Sequence, residues 1–170
     1  MDLQTSISKK IAYLGIYISL ALIFSYVESL IPFDFKIPGI KLGIANSVVL
    51  ILLYVVGFKE AILVSVARVV LSSLLFGNIY SFIFSIAGAM LSVVVMGVLN
   101  KKNSFSIIGI SMMGGIFHNI GQLIVASIIV HQLDMLYYGC ILILSGLITG
   151  CLIGILGNLI FKRVETYVRL

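Results

Sequence analysis

The chain has 170 residues, of which 61% are hydrophobic, with only eleven Lys or Arg and six Asp or Glu. Its mean hydropathy is +1.25. So few charges cannot cover a water-soluble domain, in which about a quarter of all residues are charged. The composition therefore excludes a soluble globular protein and predicts one integral membrane domain over residues 1–170, in contact with membrane lipid. The net charge of +5 does not indicate a nucleic-acid partner, because the basic residues flank apolar runs.

Apolar runs of spanning or near-spanning length predict an all-α polytopic membrane bundle of six transmembrane helices. The predicted spans are 11–31, 41–57, 60–77, 79–99, 105–130 and 136–161. The first run is long enough to cross a bilayer and lacks a small-residue cleavage site, so we interpret it as a retained helix rather than a signal peptide. The second and third runs are short and joined by a tight turn at 57–60, so a re-entrant pair is the alternative there.

Basic residues give this topology an orientation. Six spans place the N-terminus, the 57–60 turn, the 100–104 loop and the C-terminus on one side. That side carries Lys9, Lys10, Lys59, Lys101, Lys102, Lys162, Arg163 and Arg169, whereas the other side carries only Lys36 and Lys41. Because cytoplasmic loops are enriched in Lys and Arg, this asymmetry predicts a multi-pass protein of the cell membrane with both termini in the cytoplasm.

Arg68 is the one basic residue predicted to lie inside a span, near the middle of the third helix. A charge at the bilayer centre costs about 2.5–3.5 kcal/mol on insertion scales, so its side chain should face the bundle interior or a wet cavity. Two hypotheses remain open at this point. Arg68 pairs with Glu28 or with helix carbonyls as structural glue, or it attracts an anionic solute.

Apart from Asn158, the other strongly polar residues within the spans lie between the midplane and the predicted outer surface. They are Asn46, Asn78, His118, Asn119 and Gln122. His118 and Gln122 are four residues apart and should share one helix face. These side chains either bond neighbouring helices or contact a substrate. Small residues at four-residue spacing, such as Gly146 and Gly150, predict close helix packing.

Several motifs that catalysis would need do not occur in the sequence. There is no GxxxxGK[ST] phosphate loop, no DDxxD segment for a Mg²⁺-diphosphate, and no Ser/His/Asp or Cys/His arrangement. Cys140 and Cys151 lie on one predicted helix, about 16 Å apart, which is too far for a disulfide. We therefore expect no catalytic residue, metal or cofactor, and any ATPase would be a separate partner.

Six segments carry a resemblance to a known family. They are residues 38–46 (PGIKLGIAN), 57–61 (GFKEA), 68–77 (RVVLSSLLFG), 84–88 (FSIAG), 115–122 (GIFHNIGQ) and 145–150 (SGLITG). Over nearly its whole length the chain resembles the Gx transporter family, whose members are often labelled heptaprenyl diphosphate synthase component I. That family is similar in size and layout to the S components of energy-coupling-factor transporters.

The resemblance implies a function as well as a fold. S components are six-helix proteins that bind a vitamin or related small molecule near the outer face and work with a transmembrane coupling protein and two ATPases. The substrate contacts implied here are Lys41, Asn46, Arg68, Asn78, His118, Asn119 and Gln122. Small residues of helix 1 would dock a coupling subunit, although the Ala-xxx-Ala form of some S components is absent.

We therefore predict a membrane subunit that takes up a small vitamin-like or anionic solute from outside. The loop that contains Pro32 and Pro38 would act as its lid. The synthase label implies the alternative, a membrane accessory subunit that helps to make the polyprenyl tail of a respiratory quinone. A third hypothesis is a scaffold in which the polar residues only join helices.

Overall fold

The computed structural model of the protein describes residues 3–30, 43–102, 104–130 and 139–168. These residues form six α-helices and no strand. The helices are α1 (Leu3–Leu30), α2 (Asn46–Val55), α3 (Phe58–Phe76), α4 (Ile79–Lys101), α5 (Ile107–Val130) and α6 (Gly139–Val168). The all-α prediction is confirmed, and each predicted span overlaps one helix. The proposed lid around Pro32 and Pro38 lies outside the described residues.

Four helices are long and apolar enough to cross a membrane. These stretches are Ser8–Leu30, Ile79–Lys101, Ile107–Ile129 and Gly139–Arg163. By contrast, α2 has ten residues, or about 15 Å of helix, against about 30 Å of hydrocarbon. The 19 residues of α3 include Lys59, Glu60 and Arg68. By length and composition, four of the described helices can cross the membrane. The membrane crossings predicted for α2 and α3 stay predictions.

Large apolar side chains cover the outside of the bundle. On α1, for example, Ile11 is 65% exposed, and on α3 Leu74 is 78% exposed. Water would disfavour apolar exposure on this scale, whereas lipid tails accept it. The exposed surface is therefore that of a membrane protein.

The short helix α2 is the centre of the fold. It is apolar on all sides, and six of its ten residues are buried. Leu50 and Leu53 pack in one core cluster with residues of α4, α5 and α6, among them Val93. Val48 and Leu52 pack in a second cluster against α1 and α3. This burial fixes Asn46, the first residue of α2, inside the bundle.

Close contact between α5 and α6 depends on glycine. A Cβ atom added to Gly146 would lie 2.6 Å from the carbonyl oxygen of Gly115, and one added to Gly150 would lie 2.7 Å from the Cα of Met112. Both obstacles are backbone atoms, so only glycine allows the helices to approach this closely. The predicted close packing at Gly146 and Gly150 is confirmed.

The small residues of α1 divide between two surfaces. Ala21 and Ser25 are buried in the bundle, and Ala21 belongs to the cluster that joins α1 to α2 and α3. Gly15 and Ser19 are exposed, and nothing lies within 4 Å of a Cβ atom placed on Gly15. Of these two pairs, Gly15/Ser19 is the one placed where another protein could reach it.

Two further features bear on the predictions from sequence. Lys10 of α1 forms a salt bridge with Glu60, so the N-terminal end of α1 and the turn between α2 and α3 lie at the same end of the bundle. Cys140 and Cys151 are both free, which confirms that they form no disulfide.

Candidate functional site

Arg68 is buried inside the bundle, with 8% of the residue exposed. One guanidinium nitrogen, Nη1, donates to the Ser25 hydroxyl of α1 at 3.4 Å. The other, Nη2, donates to the Asn46 side-chain oxygen of α2 at 3.3 Å. Both bonds are long, and the Nε–H has no hydrogen-bond partner among the described residues. Arg68 therefore joins three helices without using its full donor capacity.

Glu28 lies one helical turn beyond Ser25 on α1. Its Oε1 accepts the backbone N–H of Gly43, which precedes α2 and has φ +70°. Side chains other than glycine disfavour this left-handed conformation. Among the described residues, no carboxylate oxygen lies within salt-bridge distance of the Arg68 guanidinium. The charge of Glu28 nevertheless acts on Arg68, so both hypotheses for Arg68 stay open.

A polar cavity of about 200 Å³ lies beside Arg68. Helices α1, α3, α4 and α5 and the start of α2 contribute its walls. Its lining residues are Ser25, Glu28, Ser29, Gly43, Asn46, Arg68, Val69, Ser72, Ser73, Phe76, Gly77, Ser81, Ser85 and His118. We call this space the serine cavity, because six of these residues are serines. Hydroxyl groups that both donate and accept make it suitable for a polar solute.

A second cavity of about 20 Å³ continues from the serine cavity toward α6. The two spaces share Gly43, Asn46 and His118. Ser92, Asn119 and other residues of α4, α5 and α6 line the remainder of the smaller one. Its volume suffices for one water molecule, which needs about 10–15 Å³ by this measure. Asn46 and His118 thus stand between the two spaces.

Three of the seven predicted contact residues line the serine cavity, namely Asn46, Arg68 and His118. Asn119 lines only the smaller cavity, and its Nδ2 donates to the Leu142 carbonyl of α6 at 2.7 Å. Lys41 lies outside the described residues.

The other two predicted residues, Asn78 and Gln122, line neither of these cavities. Asn78 is the N-cap of α4, where its Oδ1 accepts the Ser81 N–H at 2.8 Å. Gln122 is buried against α4, close to Gly88, as His118 is. The predicted shared face is therefore confirmed, but Gln122 lies beyond the cavity wall. Neither its Nε2 nor its Oε1 has a hydrogen-bond partner within the described part of the chain.

Sequence reasoning missed most of the serines. Ser25 and Ser29 are four residues apart on α1, as are Ser81 and Ser85 on α4. That spacing places each pair on one helix face. These repeated serine pairs near the predicted helix ends could have indicated a polar cavity. Serine is only weakly polar, however, so the pairs were less conspicuous in the sequence than Arg68.

The groups that line this site are suited to binding a polar solute. A guanidinium with unused donors can hold a carboxylate or phosphate through parallel hydrogen bonds, and the serine hydroxyls can bond the rest of a polar solute. Within the residues that the structure describes, no three His, Cys, Asp or Glu side chains come together to hold a metal ion.

Comparison with known proteins gives one match. The family model described as heptaprenyl diphosphate synthase component I matches residues 17–160, which include half of α1, most of α6 and everything between them. The comparison with curated proteins found no match, and the comparison with solved structures found none either. This all-helical membrane protein belongs to the heptaprenyl diphosphate synthase component I family.

Proposed function

We propose that this protein is a membrane substrate-binding and transport subunit that takes up a small vitamin-like or anionic solute. The observation that supports this most is a buried arginine with unused donors beside a polar cavity of about 200 Å³. A residue that served only to join helices would be expected to satisfy its donors within the protein, because an unsatisfied buried N–H is costly.

The proposed topology has six crossings, with both termini in the cytoplasm. The Lys10–Glu60 salt bridge supports an even number of crossings between the N-terminus and the α2–α3 turn. The 19 residues of α3 span about 28 Å, close to the thickness of the hydrocarbon core. With this orientation the serine cavity occupies the outer half of the bundle, since Glu28 and Gly77 lie near the outer ends of α1 and α3.

We further propose that a transmembrane coupling protein and separate ATPases supply the energy. The chain has no phosphate-loop motif of its own. The exposed Gly15/Ser19 face of α1 supports docking there, because a partner helix could approach its backbone closely. Release of the solute to the cytoplasm would follow reorientation of the bundle.

Recovery of the bound solute tests the binding function. Protein purified in mild detergent is extracted, and the small molecules released are compared between the wild type and Arg68→Gln. We expect a compact polar solute from the wild type and much less from the variant. Ser65→Ala is the matched control, because Ser65 is buried one turn away on α3 and does not line the serine cavity. Equal recovery from all three proteins would remove Arg68 from the site.

The family description supports a second candidate function, that of a membrane accessory subunit of heptaprenyl diphosphate synthase. The serine cavity is smaller than the roughly 300–1,000 Å³ typical of drug-sized ligands, so a heptaprenyl chain would have to lie on the lipid-facing surface. This candidate predicts that the protein, in membranes, changes the rate or product length of a soluble prenyltransferase. Unchanged rate and product length would count against it.

A further inference from the structure

Ser92 of α4 has a buried hydroxyl group with no hydrogen-bond partner among the described residues. Only 2% of the residue is exposed. A serine inside a helix often donates its hydroxyl to a carbonyl oxygen three or four residues earlier, as Ser72 and Ser127 do. Because an unpaired buried hydroxyl is costly, a partner that is not part of the chain would stabilise Ser92.

The smaller cavity provides the space for such a partner. Ser92 lines it, and its volume of about 20 Å³ exceeds the roughly 10–15 Å³ that one water molecule needs. A buried water also needs two to four polar partners, and the wall contains Asn46, Asn119 and Thr149 as well. Thr149 Oγ1 donates to the Ser145 carbonyl at 2.9 Å, so this hydroxyl oxygen can still accept a hydrogen bond.

The side-chain amide of Asn46 has its acceptor and its donors on different sides. Its Oδ1 accepts from Nη2 of Arg68 at 3.3 Å. Its Nδ2 lies 3.1 Å from the position that a Cβ atom would take on Gly43, and Gly43 lines both cavities. An acceptor for Nδ2 in the smaller cavity would therefore hold the amide with Oδ1 toward Arg68.

We propose that the smaller cavity binds one water molecule, which joins the Ser92 hydroxyl to the Asn46 amide and so holds Asn46 toward Arg68. Water fits both groups, because it accepts from Nδ2 and can donate to or accept from a hydroxyl. A metal cation does not fit, since Nδ2 carries only donors. Ser92 is then a positioning residue for the serine cavity, although it does not line that cavity. The inference does not depend on the proposed function, because the water needs no solute.

Ser65 of α3 provides a matched comparison for Ser92. Its hydroxyl also lacks a partner among the described residues, and the residue is 1% exposed. Unlike Ser92, it lines neither of the two cavities. Replacing each serine by alanine therefore removes the same group, but only at Ser92 would a bound water lose a partner.

Thermal unfolding of the detergent-purified full chain tests this difference. In a Cys140→Ser background, reaction of the partly buried Cys151 with a thiol-reactive dye reports unfolding. Ser92→Ala should lower the unfolding midpoint by about 2–4 °C, because the water loses a hydrogen bond. Ser65→Ala should not lower the midpoint, because no hydrogen bond is lost and alanine favours helix. A Ser92→Ala protein as stable as the wild type, or equal losses in both variants, would overturn the inference.

An experimental structure of the wild-type chain, at a resolution that shows ordered water, tests the inference directly. We expect density for one water within hydrogen-bond distance of both the Ser92 Oγ and the Asn46 Nδ2. A smaller cavity without such density, or a water that contacts only one of the two groups, would overturn the inference. This measurement stays decisive if Ser92→Ala does not fold.

Discussion

Replacing Gly146 by alanine tests the close contact between α5 and α6. The new Cβ would lie 2.6 Å from the Gly115 carbonyl oxygen, whereas a carbon and a carbonyl oxygen come no closer than about 3.3 Å in favourable contacts. The helices must therefore separate by about 0.7 Å at this point. Overpacking of a well-packed interior costs about 1–3 kcal/mol, and we expect Gly146→Ala to lose that amount of unfolding free energy.

Thiol reactivity provides the assay, because the chain contains no tryptophan. Cys151 lies on α6 and is partly buried, whereas Cys140 is exposed. In a Cys140→Ser background, a thiol-reactive dye reports unfolding as Cys151 becomes accessible. The midpoint of thermal unfolding in mild detergent should fall for Gly146→Ala.

Gly15→Ala is the matched control for this prediction. It is also a helical glycine, but nothing lies within 4 Å of its added Cβ. The substitution should be neutral or stabilise by up to about 0.5–1 kcal/mol, since alanine favours helix. A Gly146→Ala protein as stable as the wild type and as Gly15→Ala would refute the inferred backbone contact between α5 and α6.

Three further substitutions have expected outcomes in the same unfolding assay. Asn78→Ala should lose about 1 kcal/mol, because the cap on the Ser81 N–H disappears, and it should leave binding of the extracted solute unchanged; weaker binding would contradict the assignment as a cap. Asn119→Ala should lose about 0.5–1.5 kcal/mol, the net contribution of a typical hydrogen bond, because the bond from Nδ2 to the Leu142 carbonyl disappears; unchanged stability would contradict this. Gly43→Ala should lose about 1–2 kcal/mol, the cost of the left-handed conformation, and a neutral result would argue against φ +70°.

The sequence predicted the helices well because each is a long apolar run between polar breaks. The sequence predicted the length of the second helix less well, because the predicted span was 41–57. The helix α2 has only ten residues, since it begins at Asn46, after the turn around Gly43. Hydropathy alone cannot locate that start, because the turn is nearly as apolar as the helix.

The candidate site was partly predictable, because the position of a residue along a predicted helix gives both its depth in the membrane and the helix face on which it lies. Depth and helix face identified Asn46, Arg68 and His118, which the structure brings to one cavity. Asn78 was grouped with them by depth, but an asparagine directly before a helix caps it, and this local role places it outside the cavity. Gln122 shares a face with His118 but lies one turn further along α5. The binding measurement on Asn78→Ala tests whether Asn78 nevertheless contacts a solute, and contact by Gln122 stays a prediction.

Native mass spectrometry of the purified wild type tests the central claim most directly. A solute-binding subunit should carry one compact polar adduct per chain, and the adduct should be absent from Arg68→Gln while Ser65→Ala keeps it. An adduct with the mass of a polyprenyl diphosphate, or an adduct equally abundant in Arg68→Gln, would contradict the account.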